Sequence, residues 1–177
     1  MPRRRDPLED LAPLIRRVYS YVAYRIGDGP DAQDVTSATI ERALRGRATY
    51  DPARGNPVAW ILGIARTCLA EAMARHEIPV EDIPDAAARG DLEADSVRRL
   101  SLAAALATLD EREQELIALR YGADLTAKRI GEVLGLQTNA VEVALHRALG
   151  RLRDRMEGQE QGTPAEPAVS KALGVDL

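Results

Sequence analysis

The sequence predicts an all-α protein of two small helical domains joined by an acidic linker. Three observations predict it. Apolar residues recur at spacings of three and four through residues 8–76 and 98–157, and no stretch shows the alternation of a half-buried strand. Negative charge is concentrated: residues 77–97 carry seven acids against Arg89, net -6, whereas residues 1–76 are net +3 and residues 98–157 net +1. The acidic stretch also holds Pro79, Pro84 and Gly90, the composition of an extended connector. The expected division is therefore a domain over 1–76, a linker over 77–97, a second domain over 98–157 and a disordered tail over 158–177, where Gly158, Gly162, Pro164 and Pro167 gather.

In the first domain, Leu8, Leu11, Ile15, Val18, Val22 and Ile26 make one amphipathic stripe that Gly27, Asp28 and Gly29 stop. Pro30 suits a first helical position, and Asp31 and Asp34 favour the positive end of a second helix. That helix runs to about Arg45 and buries Val35, Thr39, Ala43 and Leu44. Tyr50 to Pro57 holds two prolines and a glycine, so it forms a loop. A third helix turns Val58, Ile61, Leu62, Ala65, Leu69, Ala72 and Met73 to one side, with Cys68 as a small buried hydrophobe. In the second domain a helix covers Leu100 to Leu109. Asp110 and Glu113 then form a capping-box pair ahead of Leu116, Ile117 and Leu119, and Gly122 ends that helix. Thr126 caps a short helix through Leu134, Gly135 breaks it, and a last helix starts at Gln137 or Thr138 and runs to about Arg155.

Several function classes are excluded. A lone Cys68 rules out a disulfide within the chain, and His76 and His146 with one cysteine do not make a usual zinc site. There is no glycine-rich phosphate loop and no nucleophile–base set, so we expect no enzyme, cofactor, metal or small-molecule substrate. The central apolar run Val58 to Ala65 has eight residues, too few to span a bilayer, and Asp6, Glu9 and Asp10 stand where a signal peptide needs an apolar core. No membrane partner is expected, and the cytoplasm is the expected compartment. The formal charge of -4 argues against nucleic acid only if charge is evenly mixed, which the segments show it is not.

The stretch Thr126 to Leu145 has helix-turn-helix spacing. Ile130 and Leu134 face inward, Gly131 is small where the chain must pass closely, and Gly135 supplies the turn. Val141, Leu145, Leu149 and Leu152 anchor the second helix, leaving Asn139, Glu142, Val143, His146 and Arg147 on the face that would read base edges. Lys128, Arg129, Arg151, Arg153 and Arg155 are candidate phosphate contacts. The plain alternative is an αα-hairpin with a solvated charged face.

Together the halves resemble the extracytoplasmic-function (ECF) sigma factors of bacterial RNA polymerase, across roughly residues 8 to 155. DAQDV at 31–35, IERAL at 40–44 and YDPARGNPVAWILGIAR at 50–66 resemble their region 2. LDEREQELIALRYGADLT at 109–126 and IGEVLGLQTNAVEVALHRALGRLR at 130–153 resemble region 4. The resemblance implies a subunit that binds core RNA polymerase and promoter DNA, with an anti-sigma factor as a further candidate partner. It places Asp34, Ser37, Ala38 and Glu41 on the polymerase-binding helix. It also implies capture of a flipped minus-ten base, for which Tyr50 offers an aromatic face, Arg54 and Arg66 charge, and Asn56 an amide. Trp60 and Thr67 fall in the same segment. Core packing is the competing role for Trp60, and Tyr50 as a loop aromatic could equally cap a core. The helix-turn-helix residues Lys128, Arg129, Asn139, Glu142, Val143, His146, Arg147 and Arg151 fall on the part that reads the minus-35 element. In the family under anti-sigma control the two domains pack together and bury their DNA-binding surfaces.

The chain departs from the family pattern. Ser37, Ala38 and Ile40 stand where Gln, Glu and Phe are usual, Thr67 where many members carry Asn, and Glu142 and Ala144 where basic residues are common. Glu142 accepts a hydrogen bond from cytosine but repels phosphate, so the promoter sequence read should differ. The acidic linker is either a nucleic-acid mimic in the polymerase channel or a solvated tether. Two other functions fit the residues: a polymerase-independent helix-turn-helix regulator, and a sigma-like decoy that sequesters an anti-sigma factor.

Overall fold

The computed structural model describes residues 6–75 and 102–160, all helix, turn and loop with no strand among them. The linker over 77–97, the start of the helix expected from Leu100 and the tail beyond residue 160 lie outside the described residues.

The first half is a three-helix unit: α1 (Leu11–Ile26), α2 (Pro30–Gly46) and α3 (Pro57–Ala74). Short 3-10 turns at Arg47–Thr49 and Pro52–Arg54 occupy the connection before α3. Helix α2 begins on Pro30, as the fixed proline φ favours. The Asn56 side chain caps α3 by accepting from Ala59 N at 3.1 Å. Helix α3 is long and apolar enough over its 18 residues to cross a membrane by length and composition. However, Ile61, Leu62, Ala65, Leu69 and Ala72 are buried within the protein, so it serves as the core helix of this half. Cys68 is buried beside them, as expected.

Two core assignments are corrected. Ile15 and Leu44 lie outside the core, 37% and 45% exposed, and α1 instead buries Leu14 and Tyr21 with Val18 and Val22. The α1 stripe is rotated because two other segments compete for it: α2 and α3 on one side and the second half on the other.

The second half comprises α4 (residues 102–107), α5 (Glu111–Ile117), α6 (Ala127–Leu134) and α7 (Thr138–Glu160). The capping box is formed: Asp110 Oδ1 accepts from Glu113 N at 2.8 Å and Glu113 Oε2 from Asp110 N at 3.2 Å. Gly122 does not end a plain α-helix. Ala118–Gly122 is a π-helical turn, with Ala123 N donating to Ala118 O at 3.0 Å. Such turns are rare, and this one sits where the two halves meet. Helix α7 continues past Arg155 and through Gly158 to Glu160.

The halves do not form separate cores. One cluster joins Val18, Tyr21 and Val22 of α1 and Ile61, Leu62 and Leu69 of α3 to Leu116, Leu119, Leu125, Ile130, Val141 and Leu145 of the second half. A smaller cluster of Leu109, Ile117 and Ala148, with Leu106, Leu149 and Leu152 against it, closes the far side. A unit of about 60–75 residues has a marginal core by itself, and fusing the two supplies burial that neither half has alone.

Candidate nucleic-acid interface

The helix-turn-helix forms as its chemistry requires. Thr126 caps α6, Ile130 is fully buried, and Gly135 takes a left-handed conformation at φ 68° that a Cβ would strain. A Cβ at Gly131 would stand 2.5 Å from Leu136 O, so the turn backbone itself demands glycine there. Val141, Leu145 and Ala148 fix the inner side of α7. Asn139, Glu142, Val143, His146, Arg147 and Arg151 are all exposed, and Val143, at 44%, is a large apolar side chain held in water. Their spacing of three and four places them along one side of the helix, with Lys128 and Arg129 exposed on α6. Arg129 Nη1 pairs with Glu132 Oε2 at 2.8 Å, and Arg151 pairs with Glu113.

On α2, Asp34, Ser37, Ala38 and Glu41 are exposed at i, i+3, i+4 and i+7 and form one continuous face. Leu44 extends that face, which explains its departure from the core.

In the loop before α3, Tyr50 takes the core-capping one of the two roles open to it and is buried at 7% exposure. Its hydroxyl donates to Gly55 O at 2.9 Å and its ring lies 5.4 Å from that of Trp60, tilted by 58°. Tyr50 therefore fastens the loop over a half-buried Trp60 and presents no open aromatic face. Trp60 packs against the core. Asn56 is half-buried, Thr67 is exposed with its hydroxyl bonded to Gly63 O, and the Arg54 side chain lies outside the described residues. Loop and α6 face each other across an open polar recess of about 570 Å³, lined by Tyr50, Pro52, Gly55, Asn56, Arg129 and Glu132.

The junction between the halves is polar at its rim and tight at its centre. Glu115 of α5 accepts the Tyr21 hydroxyl at 3.0 Å on both oxygens, Arg66 Nε at 2.7 Å, and an ion pair from Arg25. Burial first, and then the Glu115 charge, push the Tyr21 hydroxyl far above the usual phenol range, so it remains a donor. Arg17 Nη1 donates to Ala123 O at 2.6 Å and Asp124 O at 3.0 Å, holding the turn where Asp124 has φ 52°. Asn56 Nδ2 donates to Glu132 Oε2 at 2.9 Å. The sequence reading missed Tyr21, Arg25, Glu115 and Glu132. A signal existed for Glu115, which lies four residues before Leu119 and so on an apolar side of its helix.

Known proteins resemble this chain in sequence and in architecture. Sigma-70 region 2 matches residues 11–77 and sigma-70 region 4 matches residues 105–154. The ECF RNA polymerase sigma factor SigD of Mycobacterium tuberculosis is 32% identical over 167 residues, 86% of this chain and 76% of SigD. SigF of Caulobacter vibrioides is 33% identical over 153 residues, 84% of each chain. The chain belongs to the ECF sigma factors of the sigma-70 family. Proteins of this family bind core RNA polymerase and promoter DNA to start transcription and are not enzymes. BldN of Streptomyces coelicolor is 29% identical over 143 residues, and this chain spans 54% of its length. The fold matches the sigma factor RpoE in complex with the anti-sigma factor NepR from Bartonella quintana, with TM-score 0.64 and 16% identity over 84% of this chain and 95% of that one. CnrH in complex with the cytosolic domain of CnrY matches with TM-score 0.58 and 22% identity over 82% of this chain and 81% of CnrH.

Proposed function

We propose that this sigma factor docks on core polymerase through the α2 face and reads a two-element promoter in the cytoplasm. In this reading the second half contacts the upstream element through Asn139, Glu142, Val143, His146 and Arg147, with Lys128, Arg129 and Arg151 on flanking phosphates. The first half contacts the minus-ten element through Arg54, Asn56, Arg66 and Thr67, while Tyr50 and Trp60 brace the loop. The carrying observation is the exposed row on α7, set by the left-handed Gly135 turn and anchored by Val141 and Leu145. An anti-sigma factor is proposed as a further partner, since RpoE was solved in complex with the anti-sigma factor NepR.

The test mixes the purified chain with bacterial core polymerase and a promoter library and sequences the run-off transcripts. A shared two-element motif supports the reading, whereas sequence-specific binding without polymerase supports a stand-alone regulator. Arg147→Ala should weaken upstream-element recognition by about 1–3 kcal/mol if it meets a base. Equal promoter occupancy by both proteins contradicts the placement of the reading face.

A further inference from the structure

We propose that Val143 reads the 5-methyl group of a thymine in the upstream promoter element and so sets the base preference at one position of it. The inference rests on the reading of α7 as the upstream-element helix and names a base for the middle residue of its outer face. The inner side of α7 is fixed by Val141, Leu145 and Ala148, all buried. At about 100° per residue, Val143 stands about 190° round the helix axis from their mean direction, so it points straight away from the core. Asn139 and Arg147 lie one turn before it and one turn after it, both exposed. Among the described residues, neither of those two side chains has a hydrogen bond or ion pair, whereas Arg129 and Arg151 are already paired with Glu132 and Glu113. Val143 is thus the centre of the outermost and least engaged row on the helix.

Neither packing nor helix stability accounts for a valine there. It is 44% exposed, so it adds little to the core. On an open helix face it is also a poorer helix former than alanine, lysine or glutamate. A lone exposed apolar side chain is commonplace on a protein surface, but this one occupies the position that would enter a major groove deepest. Its two methyls carry no donor or acceptor, so the only base-edge group they suit is an apolar one. The major groove offers one such group, the thymine 5-methyl. In a helix a β-branched side chain holds one preferred rotamer, so Val143 presents those methyls in a fixed direction and has little freedom to lose on contact. Its neighbours allow the approach: Ala140, one turn before, is exposed, and Ala144 is half-buried, and neither reaches past the valine.

The test uses the full chain bound to core polymerase and the duplex promoter recovered from the transcripts. Each thymine of the upstream element is replaced singly by deoxyuridine, which lacks only the 5-methyl, and competition against a fluorescent promoter reads relative affinity. One replacement should weaken wild-type binding about fourfold, the equivalent of about 0.8 kcal/mol for one buried methyl, and the others should leave it unchanged. Val143→Ala improves helix propensity and keeps α7 folded. It should bind the thymine promoter about fourfold or more weakly and show no response to deoxyuridine at the sensitive position, because both changes remove the same contact. Additive losses, with Val143→Ala still sensitive to that replacement, overturn the proposal. So does a wild-type holoenzyme indifferent to every replacement, or an upstream element built of G·C pairs alone. An equal loss from Val143→Ala on every template, including one with the upstream element scrambled, marks Val143 as a protein contact and also overturns it. In each of these outcomes weakened occupancy by Arg147→Ala leaves the upstream-element reading standing, whereas full occupancy by Arg147→Ala overturns that reading and the proposal with it.

Discussion

Arg66 of the first half donates its Nε proton to Glu115 of the second at 2.7 Å, joining residues 49 apart in sequence across the junction. Glu115 also receives Tyr21 and Arg25, so one carboxylate gathers three donors from two helices. Arg25 is only 4% exposed, and its charge has left water on the strength of this partner.

Glu115→Ala should therefore destabilise the closed chain by about 3 kcal/mol, because it strands the buried Arg25 charge. Arg66→Ala should cost less, since Arg66 is 40% exposed and water screens its pair. Urea unfolding of both variants checks the order. Equal midpoints, or a larger loss for Arg66→Ala, would show that Arg25 is not held by Glu115.

The π turn makes a steric prediction. A Cβ on Gly122 would lie 2.8 Å from Ser20 O and 3.0 Å from Tyr21 Cα, backbone atoms that cannot swing aside. Gly122→Ala should cost about 1–3 kcal/mol and loosen the junction, seen as a larger radius of gyration by small-angle scattering. Gly150→Ala on α7 meets nothing within 4 Å and should stabilise by about 0.5–1 kcal/mol, as alanine does in a helix interior. Matching effects from the two substitutions would deny the close approach of α1 to the turn.

Tyr21 sets an alkaline limit. Its hydroxyl ionises near 10 in the unfolded chain and well above that in the folded one, through burial and the neighbouring Glu115 charge, with Arg25 and Arg66 opposing. Above pH 10 the unfolded state releases a proton that the folded state keeps. The stability that Tyr21 contributes is thus whole below pH 10 and declines as pH rises beyond it. Near-ultraviolet titration of phenolate absorbance should show a late phase, coincident with loss of tertiary structure, that Tyr21→Phe lacks. Identical titration curves would place Tyr21 in water.

Helix periodicity made the fold legible because each helix buries one stripe and its ends carry local chemistry. The Asp110–Glu113 box, the Thr126 cap and the left-handed Gly135 all lie within a few residues of the groups they satisfy. The exposed row on α7 was legible for the same reason, being one side of one helix, whereas the row on α2 was picked out by the family resemblance. What could not be read was the junction. Which side of α1 faces α2 and α3 and which faces the second half depends on contacts some hundred residues apart, such as Arg17 with Ala123. Ile15 was misplaced on those grounds, Leu44 because it extends the exposed face of α2, and the two roles left open for Tyr50 could not be separated because its bond to Gly55 is set by how the loop folds back on itself. The π turn left no periodic signal, since one extra residue in a short helix mimics an ordinary end.

The most direct test measures the separation of the two halves in free protein and in holoenzyme. Spin labels on Ala12→Cys of α1 and Glu157→Cys of α7, both exposed positions, with Cys68 replaced by Ala, report it by pulsed dipolar spectroscopy. Free protein should give one narrow, short distance, and binding of core polymerase should shift it to a longer one. The same short distance in holoenzyme, or a broad long distribution in free protein, would contradict a chain that is closed alone and opened by polymerase.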